Sequence, residues 1–170
     1  MNHLLEVKLM PNNTCCIFGH RTIDETDELR VRLTETIEIL INEKNVDTFL
    51  FGSKSRFDSL CLELVTSLKG KYPHIKRVYV RAEFPSIDES YRSYLLESYD
   101  DTYYPDCIIG AGKAVYIRRN REMIDNSKFC LVYCDMHVFK DKRKSGTKIA
   151  LDYAECKGKA IYLFPFSPRS

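Results

Sequence analysis

Three times in this chain a short apolar run meets a turn containing glycine and passes into a helical pattern, and this recurrence limits the fold more than any other feature. Residues 14–18, TCCIF, lead into Gly19-His20-Arg21. Residues 47–51, DTFLF, lead into Gly52-Ser53-Lys54-Ser55. Residues 129–134 lead, through a polar loop, into Ser145-Gly146-Thr147. Apolar side chains then recur every three or four positions: Leu29, Leu33, Ile37, Leu40 and Ile41 after the first turn, and Leu60, Leu64, Val65 and Leu68 after the second. That spacing marks helices with one buried face. Strands alternating with helices imply an α/β chain with a parallel sheet covered on both faces and right-handed crossovers.

The first helix is expected to open at Thr22 and Asp24 and to end near Asn45. Residues 76–82 (KRVYVRA), 129–134 and 159–164 bring the expected sheet to about five strands or more. Residues 114–124 form a helix dense in arginine. Residues 86–99 look helical, but 100–105 (DDTYYP) are acidic, aromatic and closed by proline, and the stretch 83–112 is expected to be a long loop at one end of the sheet. Residues 3–10 fit a short edge strand or an arm, so 1–13 is open between the two.

No compositional break divides residues 1–170, which predicts one domain. Lys and Arg number 26 against 24 Asp and Glu, so a dedicated nucleic-acid binder with a broad basic face is disfavoured. Any basic site is local. The seven cysteines are odd in number and mostly sit inside apolar runs, which predicts reduced core thiols in a cytoplasmic protein. The first ten residues carry Glu6 and Lys8, and 18 apolar residues nowhere run together, so no secretion and no membrane are expected. His3, His20, His74 and His137 are scattered, with no HxxxH or CxxC spacing, and neither a metal nor a cofactor is expected.

Residues 144–156, KSGTKIALDYAEC, concentrate the chemistry. The first amides of a helix lack internal partners and lie at the positive end of its dipole. An anion is stabilised there. Gly146 would let a phosphate approach the backbone, Thr147 would cap the helix and donate its hydroxyl, and Arg143 and Lys144 would add charge. In a parallel sheet, ligands lie beyond the carboxyl ends of the strands, where Gly19, Gly52 and Gly146 would gather.

With CIFGHR, FGSKSRFD, RRNREMIDNS and SGTKIALDYA in that order, the chain resembles the SLOG superfamily, which includes the DprA/Smf proteins and the LOG phosphoribohydrolases. The YpsA-like branch is nearest, and the likeness spans residues 14–165. It implies a Rossmann-like three-layer sandwich and a nucleotide-derived ligand, ADP-ribose-like or a nucleotide-sugar. It also implies a ligand-facing turn at Gly19, His20 and Arg21, a second at Gly52 and Ser53, and an acidic position at Asp58 facing a ribose hydroxyl. Arg119 and Asn120 fit the superfamily's R-N-x-x-M pattern, with the arginine fork toward a phosphate. Ser145, Gly146 and Thr147 complete the implied set. Superfamily members often self-associate, which implies a homo-oligomer.

One departure bears on activity. LOG phosphoribohydrolases carry a glutamate three residues after the threonine of their glycine-rich motif, where this chain has Ala150. Without that carboxylate the stretch lacks an agent for N-glycoside cleavage. The favoured expectation is ligand binding, as a sensor or sequestering module. Hydrolysis of a nucleoside monophosphate by Asp58 or Glu83 is the alternative. Single-stranded nucleic-acid binding through Lys140, Lys142, Arg143, Lys144, Arg118, Arg119 and Arg121 is the third. Tyr103 and Tyr104 are candidates for stacking on a base.

Overall fold

A computed structural model describes residues 7–136 and 145–165. Its six strands, β1 (Thr14–Gly19), β2 (Thr48–Phe51), β3 (Lys76–Val80), β4 (Asp101–Tyr103), β5 (Phe129–Tyr133) and β6 (Ala160–Phe164), form one sheet in the order β4-β3-β2-β1-β5-β6. Every pairing is parallel. The helices are α1 (Asp27–Asn42), α2 (Arg56–Leu68), α3 (Glu89–Leu96), α4 (Val115–Asp125) and α5 (Gly146–Cys156). This is the expected Rossmann-like three-layer arrangement.

Alternation along the strands explains the layers. On β1, Cys15 and Ile17 join Phe49, Phe51, Leu131 and Tyr133 under α1 and α2, while Cys16 and Phe18 join Leu50, Cys130 and Val132 under α4 and α5. The chain moves outward from β1 to β4 over one face and returns to β5 and β6 over the other, as right-handed crossovers in opposite directions require. All seven cysteines are free. Cys16 and Cys130, register partners on neighbouring strands, hold their sulfurs 3.5 Å apart.

Two sequence expectations need correction, and one that the sequence left open is narrowed. Residues 83–112 are not one long loop, because α3 lies within them and β4 pairs with β3 at the sheet edge, where Asp100 binds Arg77 and Lys69. The first helix opens later than expected, at Asp27, with Thr26 as its cap accepting from the Leu29 N–H. Residues 7–10 are irregular and lead into a 3-10 turn, Pro11–Asn13, so the described part of the N-terminal segment is not an edge strand; Val7 and Leu9 pack beneath α4 and α5. Among the described residues no helix is long and apolar enough to cross a membrane.

Candidate functional site

The strand order reverses at β1, whose neighbours β2 and β5 are followed by helices on opposite faces. Loops after these strands splay apart at the carboxyl edge and leave a crevice there. A cleft of about 830 Å³ occupies that place. Of the expected ligand residues, Gly19, His20, Arg21, Gly52, Ser53, Arg119, Asn120, Ser145, Gly146 and Thr147 all line it, and so does Glu83. Asp58 does not.

The first wall follows β1. His20 accepts from the Asp135 N–H through Nε2 at 3.0 Å, tying the turn after β1 to the end of β5. Burial lowers its pKa, and Asp135 acts in the opposite direction. Arg21 is exposed, and its carbonyl accepts from the Arg56 N–H, joining this turn to the start of α2.

The second wall is the turn Gly52-Ser53-Lys54-Ser55, which Asp58 builds from behind. Ser55 caps α2 by accepting from the Asp58 N–H. Asp58 in return accepts from the Ser55 hydroxyl and from the Ser53 N–H, both at 3.1 Å. This is a capping box that reaches two residues further back, to Ser53. The expectation that Asp58 meets a ribose is therefore corrected: both carboxylate oxygens are committed to the loop.

Burial pushes the Asp58 carboxyl from 3.8 up to about 6, against the pull of the Ser53 and Ser55 hydrogen bonds and of Arg119. A raised folded value means that the folded state holds the proton more tightly than the unfolded chain. The stability it contributes is complete below the unfolded value and is lost as the pH rises through about 6. We expect the stability difference between the parent and Asp58→Asn to fall by about 2 kcal/mol from pH 4 to pH 7.5, read from urea unfolding at each pH. A constant difference would refute the assignment. His20 works with the opposite sign: its contribution is present above 6.5 and is lost as the pH falls through its lowered folded value.

Arg119 forms the floor and is only 5% exposed. Its Nη1 donates to the carbonyls of Gly52 and Val80, at the ends of β2 and β3, and its Nε donates to Asn120 Oδ1 at 3.0 Å. Among the described residues Arg119 has no ion pair, and Nη2 has no partner. Because no buried side-chain nitrogen or oxygen lacks a partner there, Nη2 reaches the solvent of the cleft. Gly52 belongs to the same packing unit, since a Cβ on it would lie 2.5 Å from Met123 Sδ and 2.9 Å from Arg119 Nε. Two of the sequence motifs thus meet in one contact.

The opposite wall was not anticipated. Tyr79, Arg81, Tyr91 and Tyr116 line the cleft. Tyr103, by contrast, turns away and donates to Glu122 at 2.9 Å, and Tyr104 is not among the lining residues. One signal was available in the sequence. Tyr116 and Arg119 stand three apart on a helix and so share a face, and the guanidinium lies 5.8 Å from the ring centre.

The last wall is the start of α5. Ser145, not Thr147, is the cap, accepting from the Lys148 N–H at 3.1 Å. Thr147 is left in the first turn, lining the cleft. Arg143 and Lys144, together with Lys140, Lys142 and His137, lie outside the described residues. Ala150 is buried against α4, and Asp152 pairs with Lys148, so neither presents a carboxylate to the cleft. Among the described residues no group of three or more His, Cys, Asp or Glu side chains is placed to hold a metal ion.

Fold and site together define a Rossmann-like α/β protein with a basic, aromatic-walled cleft at the switch point of its sheet. In comparisons with known proteins, no family model and no curated protein matches the chain.

Proposed function

We propose that this protein binds a nucleotide or nucleotide-derived ligand in the cleft, acting as a sensor or sequestering module, and that it belongs with the SLOG superfamily near the YpsA-like branch. Arg119 carries the reading. A buried cation costs several kcal/mol unless it is compensated. Here the guanidinium has no ion pair among the described residues and offers Nη2 to the same cleft that the first turn of α5 lines. An anion between the two would supply the missing charge.

Gly146 gives independent support. A Cβ there would meet no atom of the described residues within 4 Å, so packing among them does not call for glycine, whereas close approach of a phosphate to the backbone does. Hydrolysis is the weaker reading, since Asp58 is spent on its loop and Glu83 is the one carboxylate among the described residues lining the cleft.

Isothermal titration with AMP, GMP, CMP, UMP, NAD and ADP-ribose is expected to give a dissociation constant below millimolar for at least one of them, with the nucleotide recovered intact by chromatography. Gly146→Ala is expected to weaken that binding about tenfold, about 1.4 kcal/mol, while changing the unfolding free energy by less than about 0.5 kcal/mol. A panel with no binder would end this reading.

A further inference from the structure

The charges that line the cleft order a ligand within it. Arg21, Lys54, Arg81 and Arg119 are its cations, and Glu83 is the one carboxylate among the described residues that line the space. A phosphate is repelled by Glu83 and drawn toward Arg119 and α5. The uncharged end of a nucleotide then falls against Glu83, in a cleft that Tyr91 and Tyr116 also line.

Glu83 is held for such a role from two directions. Tyr116 donates its hydroxyl to Glu83 Oε1, while Oε2 has no partner among the described residues. Behind it, the buried Arg81 binds the carbonyls of Phe84 and Pro85 and the Thr102 hydroxyl, each at 3.3 Å. These bonds fix the turn that follows Glu83, in which Phe84 takes a φ of 58°. The carboxylate stands at an open cleft on a braced backbone.

An ionised carboxylate only accepts hydrogen bonds, and its two oxygens suit two adjacent donors. Guanine offers that pair, its ring N1–H beside its exocyclic amine. Adenine and cytosine set an amine beside a ring nitrogen that itself accepts, and uracil sets one N–H between two carbonyls. Each of these would leave a lone pair against Glu83. We infer that Glu83, held by Tyr116, makes this cleft selective for guanine among the bases. The inference rests on the nucleotide reading of the cleft and narrows its ligand to guanine nucleotides.

The test is competitive titration of the full chain with GMP, IMP, AMP, CMP and UMP, repeated with Glu83→Gln and Tyr116→Phe. GMP is expected to bind at least about tenfold more tightly than AMP, with IMP, which lacks the amine, between them. Glu83→Gln should abolish this ranking, because an amide replaces one acceptor with a donor. Tyr116→Phe keeps both ring and carboxylate but removes the hydroxyl that holds Oε1, and should reduce the preference for GMP without abolishing it. If nucleotides bind without preference for guanine, or the preference survives Glu83→Gln, the inference is overturned and the nucleotide reading stands. If no nucleotide binds at all, both are overturned.

Discussion

Gly19→Val is expected to destabilise the protein by at least about 3 kcal/mol and Gly19→Ala by about 2 kcal/mol, because no room exists for a side chain at the end of β1. A Cβ on Gly19 would lie 2.5 Å from Phe57 Cδ1, 2.7 Å from Cγ and 2.8 Å from Cβ. Phe57 cannot yield. It is fully buried in the first turn of α2, its ring 5.6 Å from that of Tyr133. Replacing glycine does reduce the entropy of the unfolded chain, a gain of about 0.4–1 kcal/mol, but the overlap outweighs it. Relief of the clash would force β1 and α2 apart and carry the turn from Gly52 to Ser55 with them.

Urea unfolding of both single variants, Phe57→Ala and the pair Gly19→Ala/Phe57→Ala measures this directly. Phe57→Ala alone should cost about 4 kcal/mol. In the pair the ring atoms responsible for the closest contacts are gone, so the combined cost should fall short of the sum by at least about 1 kcal/mol. Additive costs would show that Gly19 is glycine for another reason. With the expected coupling, the three turn glycines separate by cause: Gly19 by Phe57, Gly52 by Arg119 and Met123, and Gly146 by nothing among the described residues.

These distinctions mark where the sequence was legible. Periodicity placed four of the five helices, and the buried faces of α1 and α2 fell on the leucines and isoleucines it named. The gathering of Gly19, Gly52 and Gly146 followed from strand-turn-helix order alone, since parallel strands send all their carboxyl ends to one edge, whereas Arg119 was indicated only by the resemblance. β4 was not legible, because Asp101–Tyr103 has the composition of a turn and becomes a strand only by pairing with β3. Asp58 misled because a carboxylate in the first helical turn reads alike whether it faces a ligand or its own loop. Burial decides between them, and burial is tertiary. The cap of α5 was ambiguous for a simpler reason: Ser145 and Thr147 can each cap, and only the backbone geometry selects Ser145.

Arg119→Met should weaken nucleotide binding about a hundredfold, about 3 kcal/mol, the cost of removing one member of a desolvated charge pair. Methionine fills much of the same volume, so loss of packing is not the main effect. What goes is the fork. Nη1 bridges the carbonyl ends of β2 and β3 while Nη2 is presented to the cleft, and only a planar group with several fixed donors can do both. Arg119→Lys keeps the charge but not that geometry and should lose about tenfold. A readout independent of any ligand is available in Asp58, whose carboxyl Arg119 pulls downward. Without the guanidinium the Asp58 carboxyl should titrate higher, and the fall in stability with rising pH should move to higher pH in Arg119→Met than in the parent. If Arg119→Met retains binding within threefold while Asp58 shifts as expected, the guanidinium holds the strand ends together and the ligand's charge is met elsewhere. If binding collapses and Arg119→Lys recovers part of it, the buried cation is the ligand's counter-charge, and the two strand carbonyls are what keep it aimed.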